Sequence, residues 1–371
     1  MNIGFDAKRA FLNNSGLGNY ARTLIKSLNE YFPENTYSLF TTRQAENDFQ
    51  KHIAPFSNIQ LHEPQHFIDK KLRSRWRSYG MTNTLKEQHL DVYHGLSNEL
   101  PFNISEFKGK KIVTIHDLIF LRYPKLYPYL DRKIYNKKFR HACDVADTII
   151  AISEETKRDI EKYYFIPESK IKVIYQSCDP AFYKTQTDAH ISEVMAEYKL
   201  PPEYLLYVGT IEERKNLLTI VKALKEIKDI PLVVIGKRKS YFNKVMEYAV
   251  ANKLQDRIIV LENVDNCDMP VIYKQAKVFI FPSMFEGFGI PIIEALTSKT
   301  PVITTKGGCF PEAGGPDSIY IDPTDEKELA EKIRLLLQSE QLRNDIAAKG
   351  FEYVQRFHPK VISAQMMEIY R

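Results

Sequence analysis

The feature that most limits what this chain can fold into is an alternation repeated from end to end: short apolar runs rich in β-branched and aromatic residues, separated by longer stretches with helical spacing. Such runs suit strands buried on both faces, and the helical stretches suit crossover connections, so the pattern predicts parallel sheets. The first half supplies NIGFD, TYSLFT, VYHG, KIVTIHD, TIIAIS and IKVIY; the second supplies YLLYVGT, LVVIGK, RIIVLEN, VFIFPS, PVITT and SIYID. Each set makes one doubly wound parallel sheet, and 371 residues hold two such domains at about 150 residues apiece. The expected fold class is α/β with two Rossmann-like domains.

The stretch QSCDPAFYKTQTDAHIS is polar and without clear period, and is the candidate linker. The expected domains are residues 1–185 and 186–355, followed by residues 356–371 as a helix that returns to the first domain; the tail FEYVQRFHPKVISAQMMEIYR reads as helical, interrupted near Pro359. No run reaches the ~18 apolar residues of a membrane span, and MNIGFDAKRA has neither a basic leader nor an apolar signal core. A cytoplasmic chain is expected. Cys143, Cys178, Cys267 and Cys309 lie far apart without a C-x-x-C pair, which predicts reduced thiols and neither a disulfide framework nor a zinc site.

Charge is uneven. Residues 1–185 hold 28 Lys or Arg against 21 Asp or Glu, a balance of +7, while residues 186–371 hold 24 against 26, a balance of −2. KKLRSRWRS (70–78) and RKIYNKKFRH (132–141) carry aromatics among their cations. These could attract an anionic membrane surface at the inner face of the cell membrane; a solvated helix face is the plainer alternative, and nucleic acid is not an expected partner.

Gly16, Gly18 and Ala21 fit G-x-G-x-x-G/A, a dinucleotide fingerprint that would suit a nicotinamide-dependent oxidoreductase. Two features weaken that reading. About ten residues separate the end of the first strand from Gly16, and Arg43 follows the second strand where a ribose-binding carboxylate belongs. What remains is a helix, expected from about Asn19, whose first amides and positive dipole end could face an anion, or else a tight surface turn.

The strongest signal is FPSMFEGFGIPIIEALTSKTPVITT (281–305). A strand ends in a loop carrying Glu286, GFG lets backbone approach a ligand, and a helix is expected near Pro291 with Glu294 in its first turn. Two carboxylates spaced E-x7-E suit the vicinal hydroxyls of a sugar and a ribose, with the intervening amides facing a diphosphate. In YLLYVGTIEERKNLL, Arg214 and Lys215 follow a strand that ends at Gly209, where cations can clamp a diphosphate and stabilise a departing nucleotide. His116 and Asp117 follow KIVTI, and a histidine there could donate to a sugar hydroxyl. No two aspartates are separated by one residue, so the D-x-D that would hold a metal on a diphosphate is missing from the sequence.

With SGLGNYARTL, TIHDLIFLRYP, ADTIIAISEETKRDI, VGTIEERKNL, FEGFGIPIIEAL and FPEAGGPDSIYIDPTD, the chain resembles the retaining family-4 glycosyltransferases of GT-B fold along nearly its whole length. The resemblance implies two Rossmann-like domains facing across a cleft, acceptor on the first and nucleotide sugar on the second, with a C-terminal helix crossing back. It makes Glu286 the carboxylate near the transferred sugar, Glu294 the ribose ligand, and the amides of Phe288, Gly289 and Ile290 donor contacts. Lys215 matches the phosphate-binding lysine, Gly16 the glycine near the diphosphate, and His116 the cleft histidine. Many members carry an arginine directly after the strand glycine, where this chain has Thr210; Arg214 substitutes in the mannosyltransferase-like RKN subgroup that it resembles.

The implied reaction is metal-independent transfer of a hexose, mannose from GDP-mannose first and a UDP sugar second, to a glycan or lipid-linked acceptor of a cell-surface polysaccharide such as lipopolysaccharide. No cofactor is expected. The nicotinamide-dependent oxidoreductase and a sugar-binding protein without turnover are the alternatives.

Overall fold

The computed structural model describes residues 1–13, 15–43 and 48–371, and divides the chain into two compact units. The first comprises Met1–Ser177 with His358–Arg371, the second Cys178–Phe357. The division thus falls at Ser177 and Cys178 rather than at residue 185, and the tail separates at His358 rather than at residue 356. The polar stretch expected as a linker is partly ordered: a 3₁₀ turn spans Pro180–Tyr183, and a helix Asp188–Glu197 begins where the Thr187 hydroxyl accepts from the His190 amide.

The first unit is a parallel sheet of seven strands: β1 (Asn2–Asp6), β2 (Thr36–Phe40), β3 (Ile59–His62), β4 (Val92–Gly95), β5 (Lys110–Ile115), β6 (Thr148–Ala151) and β7 (Ile171–Val173). Their order is β3-β2-β1-β4-β5-β6-β7. Strand β3 has no counterpart among the sequence-predicted runs. It is an edge strand whose residues stay partly exposed, so IQLH needs no apolar run to form it.

Helix Pro359–Tyr370 belongs to this unit and packs Ile362, Met366 and Met367 into the core shared with helix Gly16–Tyr31. The helical tail is interrupted near Pro359 as expected: one helix ends at Val354 and a 3₁₀ turn spans Gln355–Phe357 before Pro359 starts the next, as suits a residue with no N–H to pair. Its far end is held by a buried relay: Tyr370 and Thr114 hydroxyls each lie 2.8 Å from a ring nitrogen of His94.

The second unit is a six-stranded parallel sheet: β8 (Leu205–Val208), β9 (Leu232–Ile235), β10 (Ile258–Leu261), β11 (Val278–Phe281), β12 (Val302–Thr305) and β13 (Ile319–Ile321). Their order is β10-β9-β8-β11-β12-β13. β9, β11 and β12 are buried at every position, which is why their sequences read as continuous apolar runs. In both units the order reverses at the first strand, β1 beside β4 and β8 beside β11, and in such sheets ligands bind beyond the strand ends at that reversal.

Candidate functional site

At the β8–β11 reversal the chain must leave two adjacent strands without blocking the space above them. Gly236 allows this after β9: its φ is +158°, and a Cβ there would lie 2.0 Å from the carbonyl oxygen of Gly209. Gly209 directly follows β8, and Thr210, part-buried, comes next. A 3₁₀ turn then carries Glu213, Arg214 and Lys215, and Asn216 adopts a left-handed φ of +59°, which asparagine tolerates. The Asn216 amide donates to the carbonyls of Pro282 and Pro323 at 3.2 and 2.6 Å, pinning the cationic turn against the end of β11.

Glu286 rises from the loop after β11 into the centre of this group. Its Oε1 accepts from the Ser283 hydroxyl at 2.7 Å and pairs with the Lys215 ammonium, while Oε2 accepts from Arg214 Nη1 at 2.8 Å. Arg214 is held from its other side by Glu212 at 2.8 Å. Lys215 also lies 5.0 Å over the Phe281 ring.

Burial opposes ionisation of Glu286, but Lys215 and then Arg214 outweigh it and hold the carboxyl at about 2. It is a carboxylate at neutral pH. Burial also pulls the Lys215 ammonium below the ordinary lysine value, with Glu286 opposing. Two cations therefore gather on a buried carboxylate in a poorly hydrated place, Arg214 being paired with Glu212 besides, an arrangement able to take an anionic group at little reorganisation.

The helix Ile290–Thr297 starts after Gly289 with Pro291 in its first turn, as the sequence predicts. A helix leaves its first amides without intrahelical acceptors, and Ile290 stands at that position. Phe288 is buried and its carbonyl accepts from Cys309 Sγ at 2.7 Å, which fixes the loop from beneath. Glu294 departs from the expectation: it lies one turn further in, not in the first turn. Its Oε2 accepts from the buried Tyr273 hydroxyl at 2.8 Å, and burial chiefly pushes its carboxyl up to about 7. Sequence reasoning missed Tyr273, Ser283 and Asn216 as the groups that orient these residues. Asn216 carried the only signal, as the third letter of RKN.

Gly16 and His116 belong to the first unit. The helix expected from about Asn19 begins at Gly16, so both glycines sit in its first turn rather than in a loop. Their reasons differ. A Cβ on Gly16 would meet nothing within 4 Å, whereas one on Gly18 would lie 1.8 Å from the Asn13 carbonyl oxygen.

His116 is buried and its Nε2–H donates to the Leu96 carbonyl at 2.8 Å, which leaves Nδ1 to accept from the Gln176 amide at 3.2 Å. Burial lowers its pKa to about 4, so the ring is neutral, with both nitrogens occupied inside its own unit. The donation to a sugar expected from sequence is not available in this arrangement.

The β1–β4 reversal holds a second ion cluster that the sequence did not reveal. Arg77, buried in the wide Trp76–Gly80 turn, donates to Asp6 from Nε and Nη2 at 2.8 and 2.5 Å and to Glu99 from Nη1 at 2.6 Å. Lys138 also reaches Glu99, at 3.0 Å. As to metal ligands, Asp265, Cys267 and Asp268 have donor atoms within 4.8 Å of one another; among the described residues they share no member with the Glu286 cluster.

Solved structures share this two-sheet architecture. Anabaena HepE in complex with UDP-glucose matches with a TM-score of 0.78 at 17% identity, covering 100% of this chain and 99% of that one. The fold is that of the GT-B glycosyltransferases. The Glycosyltransferase Family 4 model matches residues 14–182 and the Glycosyl transferases group 1 model residues 190–353, so the chain belongs to the glycosyltransferases, carrying the first domain followed by the second.

O-antigen chain mannosyltransferase B of Escherichia coli is 27% identical over 76% of this chain and 74% of its own length. O-antigen chain mannosyltransferase RfbU of Salmonella typhimurium is 29% identical over 66% of this chain and 65% of its own length, so the chain spans just under two thirds of that relative.

Proposed function

We propose that this glycosyltransferase moves a hexose from a nucleotide diphosphate sugar to a hydroxyl of a glycan or lipid-linked acceptor, with retained anomeric configuration and without a divalent metal, in the building of a cell-surface polysaccharide. The observation that carries the reading is the cluster at the β8–β11 edge, where Lys215 and Arg214 gather on Glu286. GDP-mannose is assigned first as donor because the relatives are named O-antigen mannosyltransferases. A UDP sugar is the second assignment, UDP-glucose being bound by HepE. The reaction is assigned to the cytoplasm.

In this reading Lys215 and Arg214 meet the diphosphate and stabilise the charge that grows on it as the glycosidic bond breaks. Glu286, already ionised, is no proton donor; it holds the two cations and accepts from a hydroxyl of the transferred sugar. With Tyr273 on Oε2, Glu294 offers Oε1 to the ribose. Thr210 and the backbone at Phe288, Gly289 and Ile290 are assigned to the donor, the leaving phosphate to deprotonation of the acceptor, and Gly16 to the diphosphate on resemblance.

Turnover against a panel of GDP and UDP sugars tests the reading. The wild type is expected to transfer from one of them, and Lys215→Ala and Glu286→Ala each to lose roughly a hundredfold or more while remaining folded. Wild-type rates in both variants overturn the site. Stabilisation by NAD(H), with none by any nucleoside diphosphate, overturns the function in favour of the oxidoreductase, and donor binding without turnover in the wild type reduces it to a sugar-binding protein.

A further inference from the structure

The second unit buries three tyrosines completely, Tyr204, Tyr207 and Tyr273. A phenol enclosed in this way needs an acceptor for its O–H, because folding removes the water that would otherwise serve. Two of the three have one: Tyr204 donates to the Ile272 carbonyl at 2.7 Å and Tyr273 to Glu294 at 2.8 Å. The buried Tyr207 hydroxyl has no hydrogen-bond partner among the described residues. An unmet donor of this kind weighs against folding, so it marks a position where something other than stability is served.

The end of β8 shows what that is. Leu205 and Tyr207 share the face of β8 that packs into the core of the unit, and the chain then places Gly209 over the far end of the Tyr207 ring. A Cβ on Gly209 would stand 3.6 Å from the Tyr207 hydroxyl oxygen and 3.8 Å from Lys215 Cδ, with nothing nearer outside its chain neighbours. The missing side chain therefore leaves a hollow that a small group can enter. Its walls are the phenol that lacks a partner and the stem of the lysine that pairs with Glu286.

The surroundings keep the proton on the phenol. Burial first, and then the Glu286 and Glu212 carboxylates, push its pKa well above the ordinary tyrosine value, so it is a donor at neutral pH. Those carboxylates are engaged by cations, Glu286 by Lys215 and Arg214, Glu212 by Arg214 and Lys239. Neither accepts from Tyr207, and the acceptor that suits it is one that the free chain does not supply.

We propose that the hollow beside Gly209 receives an oxygen of the donor's diphosphate and that Tyr207 donates its hydroxyl to that oxygen, next to Lys215. The inference rests on the reading of this edge as the diphosphate site, and adds a neutral hydrogen-bond donor to its two cations. A phosphate oxygen that draws the Lys215 ammonium away from Glu286 moves the lysine stem that borders the hollow, which opens the phenol to the ligand. The hydroxyl is thus unmet in the free chain and forms a charge-assisted bond in the complex, so deleting it acts with opposite sign on stability and on binding. In the sequence Tyr207 was only one letter of the apolar run YLLYVGT.

The test is Tyr207→Phe, which removes the oxygen and keeps the ring. GDP and UDP are titrated calorimetrically into the full chain and the variant, and both proteins are unfolded in urea. The nucleotide that binds the wild type is expected to bind the variant about tenfold more weakly or worse, while the urea midpoint of the free variant stays level or rises. Undiminished affinity in the variant would overturn the proposal. So would a clear fall in its urea midpoint, which would show that the hydroxyl already has a partner in the free chain. Binding of neither nucleotide by the wild type would remove the donor reading itself, and this inference with it.

Discussion

The two sheets reverse their strand order at equivalent places, and each gathers carboxylates and cations there, but to different ends. At β1–β4, Arg77 is bound by two carboxylates, Asp6 and Glu99, and lies inside the unit. At β8–β11, Arg214 and Lys215 both reach Glu286, and Arg214 also pairs with Glu212. The first arrangement buries its arginine as a scaffold, with the side chain 9% exposed; the second leaves Arg214 28% exposed at the strand end, where an anionic ligand can reach it. A strand-order reversal thus marks where a site can be built, and the exposure of its cations indicates whether it can receive an anion.

The largest effect expected on stability separates the two clusters. Arg77→Met strands Asp6 in the interior, leaving Glu99 to Lys138, and should cost about 3–5 kcal/mol in urea unfolding. Lys215→Ala leaves Glu286 paired with Arg214 and should cost clearly less. Equal losses would break the comparison.

Glu294 gives the next. Its carboxyl titrates at about 7 against an ordinary 4.5, so the native state keeps a proton that the unfolded chain has released. Its contribution to stability is complete below about pH 4.5 and is lost as pH rises towards 7. Nucleotide binding, which uses the carboxylate, should strengthen over the upper part of that range. Glu294→Gln should flatten both slopes, as followed by urea midpoints and nucleotide affinity from pH 5 to pH 8; slopes that persist exclude Glu294 as their source.

Tyr273→Phe should be milder. It removes the O–H that orients Glu294, raising the donor KM about fivefold with kcat nearly unchanged, a change of roughly 1 kcal/mol. A fall in kcat alone would contradict a positioning role.

The smallest effect belongs to Gly16→Ala. The added methyl meets nothing, and alanine favours the helix, so stability should rise by up to ~1 kcal/mol. Transfer falling while stability rises would sharpen the assignment of Gly16 to the donor.

These same regions show what was legible beforehand. Every strand of the second sheet could be read from its apolar run, the inner β9, β11 and β12 most plainly because they are buried at every position, and the Glu286 cluster was legible because its residues sit in two short segments just after strand ends. The Arg77 cluster was not: Asp6, Arg77, Glu99 and Lys138 come from four separate parts of the chain, and Arg77 and Lys138 read only as members of basic runs. Edge strand β3 escaped for want of an apolar run. The setting of His116 depends on Leu96 and Gln176, neither of which any spacing rule connects to it.

The most direct test of the central claim, that the β8–β11 edge receives the nucleotide diphosphate, is calorimetric titration of GDP and UDP into the full chain and its Lys215→Ala variant. The account predicts that one nucleotide binds the wild type and that the variant loses roughly a hundredfold in affinity while remaining folded. Undiminished affinity in a folded Lys215→Ala protein would contradict it.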